Sequence, residues 1–179
     1  MLLLHQNPEQ PFCVNSIVID KLTCFNYRSA ESVVPRLDTK LESSGAEFLV
    51  LGNLLLRRIP AYKTYTNMPG YDLVATNAER HTSARIQVKS RWETGASGFP
   101  MANFDCDFVV AAFLNRGSKS RKKDIGAPAF YVFPIAVIVG LPRTQTWNKV
   151  YLRSIENAEF YRENWSLISE FLRGTPSGG

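Results

Sequence analysis

A single mixed α/β domain, preceded by a segment of different character, is the fold class that the sequence predicts. Three observations predict it. Residues 84–92 alternate polar and apolar side chains, the period of a half-buried strand. Tyr71-Asp72-Leu73-Val74-Ala75 leaves the Met68-Pro69-Gly70 turn as an extended run, and the polar residues 76–81 join the two runs as a hairpin loop. Towards the C-terminus, Tyr161, Trp165, Ile168 and Leu172 recur at helical spacing, so residues 157–173 read as a closing helix. The chain has 179 residues, 45% of them hydrophobic, which suits one domain with a core of its own.

Taken in order, residues 1–40 stand apart as an N-terminal extension or arm. Asn7-Pro8-Glu9-Gln10-Pro11 is extended or turn-like, because proline restricts both itself and its predecessor. Residues 14–19 suit a short strand, and residues 27–31 have weak character of any kind. Residues 41–174 form the predicted domain, without internal repeats or a linker. Within it, Lys119-Ser120-Arg121-Lys122-Lys123-Asp124 is a charged loop between two strands, and residues 175–179 make a flexible polar tail.

Lysine and arginine number 21 against 16 acidic residues, a net charge of +5 that favours polyanionic partners. Cys13, Cys24 and Cys106 are odd in number, widely spaced and without a C-x-x-C pair, which excludes a disulfide framework or a zinc site as the organising element. The expectation is a soluble protein of the reducing cytoplasm with no membrane partner: no apolar run approaches membrane-spanning length, and Met1-Leu2-Leu3-Leu4-His5 lacks a basic signal-peptide start. His5 and His81 are isolated from any nucleophile pattern, so acyl-transfer chemistry finds no support.

The hairpin carries the chemistry. Strand alternation places Arg85, Gln87, Lys89 and Arg91 on one face and Ile86, Val88, Ser90 and Trp92 on the other. An aspartate, Asp72, then begins one strand while an amide and a lysine stand on its antiparallel neighbour. Such a set can hold a hard divalent cation together with a phosphate. Each residue also has a plainer reading. Asp72 suits a turn, Gln87 and Lys89 suit the solvated face of an edge strand, and Ser44-Gly45-Ala46-Glu47 matches a helix capping box.

With these residues in view, the chain resembles the PD-(D/E)XK nuclease superfamily, whose members share a restriction-endonuclease-like core. The pattern is a helix carrying a glutamate, a strand with an aspartate, and a strand reading (D/E)-x-K. Here the corresponding segments are the helix of residues 45–58 with Glu47, a strand at 61–65, Gly70-Tyr71-Asp72, and Gln87-Val88-Lys89. Residues 107–114 and 130–134 also look like small prokaryotic members of unassigned role. Gln87 departs from the pattern, since most active members carry an acid there, and it lowers the ligand charge.

The resemblance implies a central mixed β-sheet flanked by helices, and a metal-dependent nuclease that hydrolyses phosphodiester bonds, in DNA rather than RNA. Its metal would be magnesium, with manganese as substitute, held by Asp72, Gln87, the Val88 backbone carbonyl and Glu47. Lys89 would either stabilise charge at the phosphate or help deprotonate the attacking water. Arg85 and Arg91 beside the site, and Lys119, Arg121, Lys122 and Lys123 in the loop, are the candidate nucleic-acid contacts. The competing readings are a nucleic-acid-binding module of the same fold that does not cut, and a structural or interaction subunit. A homodimer or higher homo-oligomer is compatible with each of them.

Overall fold

The computed structural model describes residues 39–64, 70–118, 122–145 and 147–174. Helix α1 (Thr39–Leu56) leads into β1 (Ala61–Lys63), β2 (Leu73–Asn77) and β3 (Thr82–Arg91). The short β4 (Gly98–Pro100), the central β5 (Phe108–Phe113), β6 (Ala129–Pro134), helix α2 (Ile135–Val139), β7 (Lys149–Tyr151) and helix α3 (Ser166–Arg173) complete the order. Five strands form one sheet in the order β1-β2-β3-β5-β6, and β4 pairs with β7 in a separate ribbon. Among the described residues only β3 and β5 run parallel; the other pairs are antiparallel, so the sheet is mixed as predicted.

A parallel pair needs a crossover of a dozen or more residues. Here residues 92–107 provide it, carrying β4 across one face of the sheet. The other face is covered by α1 and α3. Ala46, Val50 and Leu54 recur every fourth residue along α1 and pack with Leu73, Ile86, Val110, Trp165 and Ile168. On the crossover side Phe99, Met101, Val109, Ala111, Phe133, Ile138 and Val150 form a second core. All six residues of β5 are buried, as a strand covered on both faces must be.

Two expectations for helices change. α1 begins at Thr39, not at residue 45, because Glu42 continues the same inward seam one turn earlier and accepts a 3.2 Å hydrogen bond from Ser90 Oγ. Glu47 therefore lies in the helix interior, and the capping-box reading of residues 44–47 is lost. The closing helix over 157–173 is broken. Asn157 and Glu163 adopt positive φ, residues 158–161 form a 3₁₀ turn, and α3 proper begins at Ser166.

The break is stabilised by Glu163, whose backbone N–H donates to Phe130 O on the β6 edge (2.8 Å). Its carboxylate accepts from Phe130 N (3.1 Å) and from Trp165 Nε1 (2.9 Å). Trp165, Ile168 and Leu172 still pack on the α1 side, but Tyr161 crosses to the other core against Phe133. The hairpin loop of 76–81 is shorter than predicted, since β2 runs on to Asn77 and β3 starts at Thr82. Among the described residues no helix is long and apolar enough to cross a membrane. Of the predicted arm of residues 1–40, Thr39 and Lys40 belong to α1; its residues 1–38, the tail, Lys119 and Arg121 lie outside the described residues.

Leu54 is fully buried at the end of the α1 seam. Leu54→Ala should cost about 2–5 kcal/mol of stability through lost burial and a residual cavity. Urea denaturation would read this as a lower midpoint with an unchanged slope.

Candidate active site

β3 is ten residues long and β2 only five, so the C-terminal half of β3 outruns its antiparallel partner. The last ladder pair is Leu73 with Ile86, followed by a 2.9 Å bond from Asp72 N to Ile86 O. Beyond it the Val88 N–H has no backbone partner from β2. Asp72 supplies one with its side chain: Oδ2 accepts from Val88 N at 2.7 Å. Strand carbonyls alternate in direction. Arg85 O is bonded to Asp107 N on the β5 side and Ile86 O to Asp72 N on the β2 side, so the Val88 carbonyl points to the β2 side, into the same gap.

The backbone of Asp72 is clamped by Thr64, the residue that follows β1. Thr64 donates to the Asp72 carbonyl from both its N–H and its Oγ1, each at 3.0 Å. The approach to this clamp needs glycine. Gly70 has φ of +109°, and a Cβ there would lie 2.8 Å from Asp105 O and 3.0 Å from Asp105 Cβ. The turn that launches Asp72 is thereby pressed against the loop entering β5.

Around Asp72 the structure gathers the other predicted residues. Gln87 is only 6% exposed, and its Oε1 is buried without a hydrogen-bond partner. Glu47, on the second to third turn of α1, pairs with Lys63 Nζ at 2.7 Å, and the same ammonium lies 4.8 Å from the centre of the Phe48 ring. Burial pushes the Asp72 carboxyl above its ordinary value, and the Glu47 charge adds to the rise. The Val88 hydrogen bond and the charges of Lys89 and Lys63 act against it. Burial likewise lowers the Lys89 ammonium, while the charge of Asp72 opposes the shift. Both groups are thus pushed towards their neutral forms. Cys106, buried within electrostatic reach of Lys89, is pushed up to about 11, chiefly by desolvation.

The basic candidates divide. Arg85 is already engaged within the chain: its guanidinium forks onto Asp105 and Asp107, and its backbone N–H bonds Asp107 Oδ2 at 2.7 Å. This network ties β3 to the mouth of β5. Lys123 is likewise engaged, with Glu93 Oε1 at 3.1 Å and Thr94 O at 2.9 Å. Arg91 keeps a buried Nε without a partner, on the strand face of Gln87 and Lys89, and Lys122 is exposed.

Lys63 and Thr64 were not singled out from the sequence. The signal was present: Lys63 is two residues from Ala61, so it shares the inward, helix-covered strand face, where a lysine requires a carboxylate. Among the described residues no group of three or more histidine, cysteine, aspartate or glutamate side chains is placed to hold a metal. Any cation here would rely on two carboxylates, an amide oxygen and a backbone carbonyl.

Comparison with solved structures bears on the fold. A bacterial homing endonuclease superposes over 78% of this chain and 95% of its own, with a TM-score of 0.53 and 22% sequence identity. The chain has the restriction-endonuclease-like fold. A Holliday junction resolvase from Archaeoglobus fulgidus matches 66% of this chain and 94% of its own, at 20% identity and a TM-score of 0.40, an overlap too loose to add weight. No family model matches the chain, and no curated protein matches it. In this restriction-endonuclease-like frame the site occupies the divergence of β2 and β3, with α1 leaning over it.

The raised Asp72 carboxyl has a measurable consequence. Because the folded state holds the proton more tightly than the unfolded chain, this group's stabilising contribution is complete below the unfolded value. It is lost as pH rises through the raised folded value. Asp72→Asn removes the charge but keeps an acceptor for Val88 N. The metal-free variant should therefore unfold at higher urea than wild type at pH 7, and the difference should shrink as pH falls towards 3.8. An unchanged gap between pH 7 and pH 3 would contradict the assignment.

Proposed function

We propose that this chain is a divalent-metal-dependent nuclease that hydrolyses phosphodiester bonds, in DNA rather than RNA, with magnesium as the ion and manganese as substitute. The observation that carries the reading is Gln87 Oε1. A buried acceptor without a partner is costly, and this one stands on β3 next to the gap into which the Val88 carbonyl points and Asp72 reaches. Three oxygens with no ammonium directly bonded to them suit a hard cation, which takes one or two carboxylates plus neutral oxygens and retains several waters.

Asp72, Gln87 and the Val88 carbonyl would hold the ion, and Glu47, paired with Lys63, would reach it through a bound water. When bound, the ion supplies Lewis-acid polarisation of a phosphate oxygen. The remaining work falls to side chains. Asp72, fixed by Val88 N on one side and Thr64 on the other, keeps its carboxylate in place without a search through rotamers. Lys89 lies two residues past Gln87 on the same strand face, about 6.5–7 Å along the strand. Protonated, its ammonium would stabilise charge building on the phosphate; as the neutral amine, the form that burial favours, it would instead take a proton from the attacking water. Arg91 and Lys122 would add contacts to the phosphate backbone.

Lys89→Ala should leave manganese affinity intact and lower plasmid nicking by about 10²-fold or more. Lys89→Arg should rescue little, since guanidinium holds its proton and is broader than an ammonium. Cleavage by Lys89→Ala at the wild-type rate would place the activity elsewhere. A wild-type protein that retains DNA in a salt-sensitive way yet never cuts DNA or RNA would favour the binding module.

Gln87→Glu adds a carboxylate beside Asp72. It should tighten manganese binding in calorimetry and preserve or raise cleavage, while lowering the stability of the metal-free protein through like-charge repulsion. Loss of manganese binding in a folded Gln87→Glu variant would remove residue 87 from the ligand set.

A further inference from the structure

Lys63 has a setting unlike that of a surface lysine. Its backbone is pinned by the pairing of Lys63 with Leu73, and the next residue, Thr64, bonds the carbonyl of Asp72. Its side chain is 32% exposed and reaches a Glu47 carboxylate that is only 17% exposed. The cradle around the ammonium comes from two consecutive residues of α1, the Glu47 carboxylate at 2.7 Å and the Phe48 ring at 4.8 Å. The Lys63 charge also acts on Asp72, so it belongs to the same electrostatic cluster.

In that cluster two carboxylates, Asp72 and Glu47, face two ammonium groups, Lys63 and Lys89, and the formal charges cancel before any ion arrives. A first divalent ion finds an oxygen set at Asp72, Gln87 and Val88 to which no ammonium is directly bonded. A second ion would depend on Glu47, and there it meets a cation already in contact. Two divalent ions sharing one phosphate normally sit about 3.5–4 Å apart and need acidic ligands between and around them; Gln87 brings no charge to that task.

We propose that the Lys63 ammonium is a resident cation that occupies Glu47 and restricts this site to a single divalent ion, supplying from a side chain the positive charge that a second ion would bring. The inference rests on the metal-dependent reading given above. It makes Lys63 a positioning residue that sets metal stoichiometry and holds Glu47 against the sheet.

The test is metal stoichiometry in the full chain, with manganese as the probe, measured by calorimetry and by electron paramagnetic resonance. Wild type should bind one manganese ion and give the spectrum of an isolated centre. Lys63→Met keeps an unbranched stem over Phe48 and removes the charge; it should bind two ions and show spin coupling between them. Adding Glu47→Gln to Lys63→Met should return the count to one, and Lys63→Arg should stay at one. Two ions on wild type would overturn the proposal without recourse to any variant, as would a folded Lys63→Met that still binds one. If wild type and variants bind no manganese at all, the metal reading fails and this proposal with it, an outcome distinct from a count of one throughout.

Discussion

Where β2 stops, the amide of Val88 takes its hydrogen bond from the Asp72 carboxylate, 2.7 Å away, and the arrangement of the site depends on that substitution. Had β2 continued, its backbone would have satisfied Val88 and closed the gap between the strands. A side chain in the place of a strand leaves room beside it, into which the Val88 carbonyl points, and the preceding residue, Gln87, carries a buried amide oxygen with no partner. The divergence needs firm supports on both sides. Thr64, the residue after β1, holds the Asp72 carbonyl, Gly70 lets the incoming turn lie against Asp105, and the Arg85 fork on Asp105 and Asp107 locks β3 to β5 just below.

The electrostatics of the site oppose the fold that contains it. Burial drives Asp72 and Lys89 towards their neutral forms, and Gln87 Oε1 forgoes a hydrogen bond it would make in water. Each is a cost to the folded chain, and costs concentrated on neighbouring residues mark a candidate functional site. The core compensates through two apolar layers on either side of β5.

How much of this was legible in the sequence follows from how local each signal is. The alternation in 84–92 showed the strand and its faces correctly, because a half-buried strand writes its environment with period two. Asp72, Gln87 and Lys89 could be named because they sit in one hairpin. The start of α1 was misplaced because Ser44-x-x-Glu47 imitates a cap, while the residue that extends the helix, Glu42, is recognisable only from its contact with Ser90 on a strand 48 residues away. The closing helix was overextended for a similar reason. Its apolar spacing is genuine, but Glu163 finds a better partner in the β6 edge than in a helical turn. Arg85 looked free because its two carboxylates are 20 and 22 residues distant. The β4–β7 ribbon carries three residues per strand, too few for any periodicity to register.

The buried character of β5 has a consequence for how the chain reaches this state. Phe108-Val109-Val110-Ala111-Ala112-Phe113 is uncharged, free of proline and glycine, and apolar on both faces. Until it is inserted between β3 and β6, such a six-residue segment is suited to pairing with copies of itself on other chains. Its insertion waits on closing the 92–107 crossover, a slower event than zipping the β2–β3 hairpin. The flanks of the segment carry the guard: Asp105 and Asp107 precede it and Arg116 follows it. The acids that hold Arg85 in the folded protein thus serve earlier as gatekeepers against aggregation, repelling like segments before their own partner strand has arrived.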